Sequence, residues 1–461
     1  MFYYRDRLIV TKQKTIVAQA TASGKSGIGI IRISGCKTYL VAQTILKCIP
    51  SPRLATHLRF FDINGYMIDY GIAIWFPKPH SFTGEDVLEL QGHGNNIILD
   101  LLIKNIISIK GIRLADPGEF TKRAVLNKKM DLTQAEGLID FINAESAHAA
   151  QLALNMMKGI FSKNIKNIIM MLSEINVLIE TELNFSEEEH LLLDMNLIEL
   201  KLKNIINILM QLKKTGKEGI LIKEGIKIVI CGLPNSGKST LLNKLLNQNI
   251  AIVTNIAGTT RDILQHNINI QGLSFNISDT AGLRQSNDYI EKIGIKKTKK
   301  EIKKADHILY VIDIKQHKIN TELLNKIKKN IFNNQSYTIV VNKIDLIPMQ
   351  PVLKKNKKTH NIYISAKKEL GIDLLKNYLF KLYKNNNSLE TIHTTRRRHL
   401  NIIDKVFVEL SFGIKNWKEN KNLELLSENL RNSQILLNKI IKTDSSKEIL
   451  EKIFSEFCIG K

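Results

Sequence analysis

The sequence has little cysteine and no long uncharged apolar run. Its 461 residues contain four cysteines, which lack the paired or metal-ligand spacing of a disulfide framework or a zinc site. No stretch reaches the roughly 18 apolar residues of a membrane-spanning helix, and the first residues carry charges where a signal peptide needs an apolar core. These absences argue against a secreted or membrane-spanning protein and predict a cytoplasmic one.

Acidic residues are scarce relative to basic ones. The chain has 67 Lys and Arg against 44 Asp and Glu, for a formal net charge of +23. Such an excess is typical of proteins that contact nucleic-acid phosphates. The same excess also arises when coding bias fills a sequence with Ile, Lys and Asn, which are abundant throughout this chain. Charge alone does not separate these two explanations.

Proline is absent from two long stretches, 118–233 and 352–461, and its distribution helps to outline the domains. Residues 1–120 hold short apolar runs such as "GIGIIRISG" and "YGIAIWF", which predict strands. Further along, apolar residues recur at three- and four-residue steps, which predicts helices. The stretch "TGKEG" (215–219) is interpreted as an interruption, after which β/α alternation predicts a mostly parallel sheet.

The helical pattern returns near the C-terminus, so the economical interpretation is one helical domain interrupted by an inserted α/β domain. The predicted strands of the insert are 226–232, 273–279, 307–313, 337–343 and 361–366. The predicted boundaries are 1–120 for an α+β N-terminal domain, 121–218 and 385–461 for the two parts of the helical domain, and 219–384 for the insert.

The segment "GLPNSGKST" (232–240) has the phosphate-loop pattern, between a predicted strand and a predicted helix. Glycines let the backbone N–H groups wrap the phosphates, Lys238 can reach the β- and γ-phosphates, and Ser239 can ligate magnesium. An earlier "SGKSG" (23–27) lacks the first glycine of the pattern and is rejected as a cofactor loop.

Three more motifs follow at predicted strand ends, in the order of a GTP-binding domain: "DTAG" (279–282), "NKID" (342–345) and "SAK" (365–367). The carboxylate of Asp345 can accept from two guanine N–H groups that adenine lacks. The residues predicted to contact the nucleotide are Asn235, Ser236, Gly237, Lys238, Ser239, Thr240, Thr254, Asn255, Ile256, Ala257, Gly258, Thr259, Thr260, Asp279, Thr280, Ala281, Gly282, Asn342, Lys343, Asp345, Ser365, Ala366 and Lys367.

Hydrolysis needs a further explanation, because Leu283 stands where Ras-like proteins have the glutamine that positions water. In "TNIAGTTRD" (254–262), Thr260 is well placed as a second magnesium ligand. Asn235 could hold a monovalent cation beside the phosphates, with main-chain oxygens of 254–259, and so replace an arginine finger electrostatically. Without further context, a residue chosen for its turn conformation is the simpler interpretation of Asn235.

Several segments together resemble one family, the tRNA-modification GTPases MnmE (TrmE), over essentially the whole chain. Besides the GTPase motifs, the resemblance rests on "TIVAQAT…GIGIIRISG" (15–35), "SFTGEDVLELQGHG" (81–94), "PGEFTKRAVLNKKMDLTQAEGLIDFI" (117–142) and the terminal "FCIGK". The resemblance implies an α+β folate-binding-like N-terminal domain that also dimerises, an all-α helical domain, and an inserted Ras-like P-loop α/β GTPase domain.

The resemblance also implies site residues. The implied potassium ligands are Asn235 and the loop oxygens of Thr254, Ile256 and Thr259. The implied magnesium ligands are Ser239 and Thr260. Glu291 matches the glutamate that orients water in the family. Glu291 and Lys238 are both implied to be catalytic. The alternative is that Glu291 is an exposed acidic residue on a helix with no catalytic role.

A folate pocket is implied for Arg32, Glu89, Lys129 and Lys461, and would hold a 5-formyl- or methylene-tetrahydrofolate. A carboxylate can pair with the amino and ring N–H donors of a pterin, and basic groups suit the anionic tail. In this family the C-terminal tail folds back toward that pocket, which makes Cys458 a candidate nucleophile. Its position near the end does not indicate prenylation, because Gly460 is not aliphatic and Lys461 is not a usual last residue.

The implied function is a potassium-dependent GTPase that works as a homodimer with a flavoprotein of the MnmG (GidA) type, as a heterotetramer. The pair would add an aminomethyl or carboxymethylaminomethyl group at position 5 of the tRNA wobble uridine, with no membrane partner. Two alternatives stay open: an RNA-binding switch of the ribosome-assembly or signalling class, and a nucleotide-binding scaffold without turnover.

Overall fold

The computed structural model describes residues 14–185, 195–232, 234–247, 265–279, 302–317, 336–355, 360–383, 395–442, 451 and 453–460. The chain packs as two compact units. The first comprises Met1–Ile139, Met156–Ile205 and Lys405–Lys461, and the second comprises Asp140–Asn155 and Ile206–Asp404.

The first unit contains a six-stranded sheet in the order β3-β4-β5-β2-β1-β6. All neighbouring strands are antiparallel except β1 and β6, which are parallel. The strands are β1 (Thr15–Gln19), β2 (Ser26–Ser34), β3 (Thr56–Phe61), β4 (Met67–Phe76), β5 (Val87–Gly94) and β6 (Ile112–Leu114).

The main apolar core lies on one face of this sheet, and a smaller apolar cluster of Ile16, Ala18, Ala115 and Phe120 lies on the other. Helices α1 (Thr38–Val41) and α2 (Asn96–Ser108), with the π-helical turn Ala42–Leu46, contribute residues to that core. Along β2, the buried Ile31 and Ile33 alternate with the less buried Ile30 and Arg32, because successive side chains of a strand point to opposite faces. The second face therefore carries Arg32 and is partly open.

Helices follow this sheet along the chain, between Glu119 and Glu224. The apolar stripe predicted between 161 and 179 is buried on one face of α6, as amphipathic spacing requires. At the C-terminus, Ile453, Phe454 and Phe457 pack with apolar residues of α3 and α4. The helices are α3 (Glu119–Leu126), α4 (Leu132–Ile142), α5 (Ala147–Met157), α6 (Ile160–Phe185) and α7 (Met195–Glu224).

The second unit contains a seven-stranded sheet in the order β12-β13-β11-β10-β7-β9-β8. Its five interior strands are parallel, and β8 and β12 pair antiparallel at the two edges. The strands are β7 (Ile226–Gly232), β8 (Gln265–Ile270), β9 (Leu273–Asp279), β10 (His307–Asp313), β11 (Ser336–Asn342), β12 (Val352–Lys355) and β13 (His360–Tyr363).

Helices follow several of these strands, and the chain after the sheet returns to the end of α7. Glu224, at the end of α7, pairs with Arg397 at 2.9 Å, and Thr395 donates to the carbonyl of Gly216 at 2.9 Å. The helices are α8 (Lys238–Asn247), α9 (Ile314–His317), α10 (Ile372–Tyr383), α11 (Arg397–Asn420) and α12 (Leu423–Ile441), with a 3-10 turn at Ile344–Leu346.

The parallel sheet was predicted correctly in kind, but two features of the sequence were misread. The interruption predicted at 215–219 is wrong, because α7 continues through it to Glu224. The glycine at 216 lies under Thr395 and Leu400, where a Cβ would come within 2.8 Å of the Thr395 hydroxyl. The edge strands β8 and β12 were not predicted, and the last predicted strand ends at Tyr363 instead of 366.

Candidate functional site

The phosphate-loop segment lies between the end of β7 and the start of α8, at the carboxyl edge of the parallel sheet. Asn235 has a left-handed backbone with φ of +58°, and Gly237 has φ of +90°. A Cβ at position 237 would collide with the side-chain amide of Asn342, so only glycine fits. Ser236 is buried, whereas Asn235 and Ser239 are exposed.

Two residues at the end of β11 hold this loop. Asn342 is 2% exposed and donates to the carbonyl of Ser236 at 2.9 Å, while its own oxygen accepts from the Ala366 N–H at 2.9 Å. Lys343 donates to the carbonyl of Asn235 at 2.7 Å. Three motifs that are distant in sequence are therefore joined by side-chain hydrogen bonds.

The ammonium of Lys343 is itself held by Asp313, at the carboxyl end of β10, at 2.8 Å. Burial acts to raise the pKa of Asp313, but hydrogen bonds from Lys343 and from the Lys315 N–H outweigh it, so the pKa is lowered. Sequence reasoning missed Asp313. The available signal was an acidic residue ending an otherwise apolar strand, next to strands that already carried nucleotide motifs.

Asp345 and Ser365 lie together beyond these strands. The Ser365 hydroxyl donates to Asp345 at 2.5 Å, and this hydrogen bond lowers the pKa of the carboxyl group. Asp345 is therefore ionised at neutral pH and can accept from N–H donors of a base. Lys367 is exposed beside them.

At the other end of the loop, Lys238, Ser239 and Thr240 form the first turn of α8. Helix N-termini carry unpaired N–H groups and a partial positive charge, which favours phosphate oxygens. The backbone of Asp279 lies opposite Ile230, in the next strand of the sheet. The remaining predicted positions lie outside the described residues: 254–260, 280–282 and Glu291.

The folate candidates lie in the first unit. Arg32 and Glu89 face each other across β2 and β5 and form an ion pair at 2.8 Å. The Arg32 guanidinium also lies 5.6 Å from the ring centre of Phe82 and 5.9 Å from that of Phe120. An arginine and a glutamate that remain partly exposed beside aromatic rings suit a flat heterocycle with N–H donors.

Lys129 is brought toward the same region by the loop that carries Phe82. Its ammonium donates to the carbonyl of Pro79 at 3.0 Å, and its Cγ and Cδ lie 3.4 Å from where a Cβ on Gly84 would be. The C-terminal tail also reaches this sheet, because a Cβ at Gly460 would collide with the carbonyl of Gln19 at the end of β1. Cys458 is exposed, and Lys461 lies outside the described residues.

A buried ion network fixes the 81–86 loop, and sequence reasoning did not single it out. Arg123 is 2% exposed and pairs with Glu85 at 2.9 Å and with Glu119 at 2.8 Å. Burial acts to raise the pKa of Glu119, but hydrogen bonds from Arg113, the Asp116 N–H and Arg123 outweigh it and lower the pKa. The Glu119 carboxylate therefore stays charged at neutral pH, where it pairs with the buried Arg123.

Two family models match the chain and together cover most of it. The model for the "MnmE helical domain" matches residues 132–458, and the model for the "GTP-binding protein TrmE N-terminus" matches residues 15–129. A tRNA modification GTPase MnmE of Buchnera aphidicola subsp. Baizongia pistaciae is 45% identical, over 97% of this chain and 99% of its own.

The chain belongs to the MnmE family. Another MnmE, from Proteus mirabilis, is 43% identical over 97% of this chain and 99% of its own. Membership of the MnmE family makes the chain a GTPase. A solved structure of Era from Aquifex aeolicus, bound to GDP.AlF4-, aligns over 40% of this chain and 66% of its own, at 26% identity and a TM-score of 0.27. That superposition is too poor to bear on the fold.

The described part of the chain lacks two further features. No helix in it is long and apolar enough to cross a membrane. Within the same residues, no group of three or more His, Cys, Asp or Glu side chains is arranged to hold a metal ion.

Proposed function

We propose that this MnmE-family chain is a potassium-dependent GTPase that modifies tRNA together with a flavoprotein partner. The observation that carries the GTPase part is the bridge made by Asn342 and Lys343 to the carbonyls of Ser236 and Asn235. It joins the loop suited to phosphates to the strand end suited to guanine, so that one nucleotide could contact both. The relatives' name, tRNA modification GTPase, supports tRNA as the substrate.

Magnesium would be held by Ser239 and Thr260 and, when bound, would supply positive charge beside the phosphates. Ser239 stands exposed in the first turn of α8, in reach of anions drawn to that helix end. Lys238 would neutralise charge on the β- and γ-phosphates. Glu291 would orient the attacking water, because Leu283 has no group able to do so.

Potassium would be held by the Asn235 side chain and by main-chain oxygens of Thr254, Ile256 and Thr259. When bound, it would supply positive charge where the transition state develops negative charge. The exposed side chain of Asn235 sits on a loop whose own carbonyl is fixed by Lys343, which suits a cation ligand. The left-handed φ of +58° equally suits the turn interpretation, so the two need a direct test.

The N-terminal domain would bind a 5-formyl- or methylene-tetrahydrofolate as the one-carbon donor. Glu89 would accept from the pterin N–H groups, and Arg32, Lys129 and Lys461 would favour the anionic tail. The close approach of Gly460 to Gln19 supports a tail that takes part in this site. Cys458 would stand nearby as a nucleophile if its thiolate form is favoured there.

A homodimer is supported by the open face of the first sheet. Tyr70 and Ile72 of β4 lie on that face, and they are 49% and 39% exposed. Apolar side chains on an uncovered sheet face commonly mark a protein interface. Two copies and two flavoproteins of the MnmG (GidA) type would form a heterotetramer that adds an aminomethyl or carboxymethylaminomethyl group at position 5 of the wobble uridine.

The decisive experiment compares GTP hydrolysis by the full chain in potassium and in sodium, with Asn235→Gly and Asn235→Asp alongside. Glycine accepts the left-handed backbone but lacks the side-chain oxygen, whereas aspartate keeps an oxygen. We expect potassium stimulation in the wild type, a loss on the order of tenfold or more in Asn235→Gly, and partial retention in Asn235→Asp. Equal wild-type rates in the two salts would remove potassium from the mechanism, and the RNA-binding switch would become the better interpretation.

A further inference from the structure

The β8–β9 hairpin of the second unit connects two segments, 254–260 and 280–282, that the sequence predicts to contact the nucleotide. β8 begins at Gln265, shortly after 254–260, and β9 ends at Asp279, directly before 280–282. Its two strands are paired residue by residue from Gln265 opposite Ser278 to Ile270 opposite Leu273. Because β8 and β9 are paired along their length and β9 is also paired with β7, the hairpin joins the ends that adjoin 254–260 and 280–282 to its tip within one sheet.

The tip of this hairpin lies against the start of α5. Gly272 has φ of +89°, and a Cβ there would lie 2.6 Å from Cε1 and 2.7 Å from Nδ1 of His148. The Nδ1 atom of His148 is buried and has no hydrogen-bond partner among the described residues. On its other side, the tip is held by Gln271, which donates to Asn377 of α10 at 2.8 Å.

Both polar and apolar contacts extend this attachment along β8. Asn267 donates to Glu145, just before α5, at 2.7 Å. Leu152 of α5 is fully buried in the same apolar core as Ile268 and Ile270. The contact is therefore a packed interface, which resists sliding more than an isolated hydrogen bond would.

The partner strand is attached to a second helix that leads out of the insert. Asn276 of β9 donates to the carbonyl of Glu224, the last residue of α7, at 2.8 Å. Each strand of the hairpin thus touches a helix that belongs to the helical domain by sequence.

We propose that the β8–β9 hairpin couples the nucleotide state to the segment 145–152, with His148 as a positioning residue at the contact. The inference rests on the proposed function, since it takes 254–260 and 280–282 as segments that contact the nucleotide and change with its state. Coupling between two sites is reciprocal, so the same contact lets 145–152 bias the preference between GTP and GDP. Helix α5 is continuous from Ala147 to Met157, so a shift at its start would be transmitted along the helix.

The first test needs no variant. Hydrogen–deuterium exchange of the full chain would be compared without nucleotide, with GDP, and with GDP and aluminium fluoride in potassium. We expect the amides of 145–155 and of the hairpin to change protection together between nucleotide states. If only the phosphate-loop amides respond, the coupling is refuted. Potassium-stimulated hydrolysis measured in the same samples would show that the proposed function survives this failure.

A variant series tests the contact itself. His148→Ala removes the tip contact, Glu145→Ala removes the acceptor for Asn267, and Glu145→Gln keeps an acceptor oxygen. Gln151→Ala, exposed on the same helix, is the matched control. We expect the ratio of GTP-analogue to GDP affinity, measured by fluorescent-nucleotide titration, to change by at least about fivefold in the two alanine variants of the contact. Glu145→Gln and Gln151→Ala should resemble the wild type, and a ratio unchanged in all folded variants would overturn the proposal.

Discussion

At the scale of single residues, Asn342 has two structural partners and almost no contact with solvent. Its amide N–H group and its oxygen are both engaged, with Ser236 and Ala366. The sequence predicts that it contacts the nucleotide, and in the structure its hydrogen bonds join two loops of the site. We therefore expect nucleotide affinity to depend on Asn342 through the shape of the site.

Replacing Asn342 by alanine should weaken both GTP and GDP binding. The change leaves a buried carbonyl and a buried N–H without partners, and each costs about 1–3 kcal/mol. The free protein bears part of this cost as well, so we expect only about 1.4–2.8 kcal/mol of it in binding, which is a roughly 10- to 100-fold loss of affinity. Fluorescent-nucleotide titration measures it. Asn416→Ala is the control, because the Asn416 amide donates to the carbonyl of Phe412, one turn earlier in its own helix. Wild-type affinity in Asn342→Ala would contradict the bridging role.

The sequence indicated the chemistry of the site at the residues that match motifs, because glycines, Lys238 and Asp345 follow from what phosphates and guanine require. It could not indicate Asp313 or Arg123. Their roles come from contacts with Lys343 and with Glu85 and Glu119, which only the folded chain brings within 3 Å.

At the scale of elements, a buried polar chain ties strands β10, β11 and β13 to helix α10. His307 is fully buried between Ser336 and Thr338, at 2.8 and 2.9 Å, and Thr338 donates to Tyr378 at 3.0 Å. Tyr378 continues the chain to His360 at 3.0 Å. These residues lie at the start of the strands, at the edge opposite the nucleotide motifs.

Burial lowers the pKa of His307 to about 4, with a smaller contribution from His360. The unfolded imidazole has a pKa of about 6.5. Because the unfolded state takes up the proton first, the stability of the fold is fully supported above about pH 6.5 and declines toward pH 4. The expected decline is about 3 kcal/mol.

Urea unfolding at several pH values, followed by circular dichroism, measures this decline. His307→Gln removes the titrating group and should flatten the slope between pH 6.5 and 4. His266→Gln, on the edge strand β8, should leave the slope unchanged. An identical slope in wild type and His307→Gln would assign the acid sensitivity to other groups.

The elements themselves were predictable to different degrees. Interior strands such as β7 and β10 are nearly continuous apolar runs, because both faces of a parallel sheet are covered. The edge strands "QHNINI" and "VLKK" are polar and short, so they give little signal. The glycine at 216 suggested a break, but tertiary packing under Thr395 keeps it inside a helix.

At the scale of the whole molecule, the C-terminal tail packs in the first unit with the N-terminal sheet, although the two are separated by most of the sequence. Phe454 and Phe457 anchor it in an apolar cluster, and Gly460 then approaches Gln19 too closely for any side chain. The proposed folate site would therefore be assembled from both ends of the chain.

Gly460→Ala should displace the tail, because its Cβ would collide with the Gln19 carbonyl and its φ is +97°. We expect 5-formyltetrahydrofolate affinity, measured by calorimetry, to fall roughly tenfold, or about 1.4 kcal/mol. Gly65→Ala is the matched control, since its φ of +90° imposes the same backbone strain with nothing within 4 Å of the added Cβ. Unchanged folate affinity in Gly460→Ala would remove the tail from the site.

The pairing of Glu224 with Arg397 bears on how such a chain could have arisen. The two ends of the insert emerge side by side, so a short turn could join α7 to α11 where the GTPase domain now stands. Closing a longer loop at the same two points adds little entropic penalty. A compact domain with neighbouring termini can thus enter a helical host without repacking it, which makes the architecture accessible in a single genetic step.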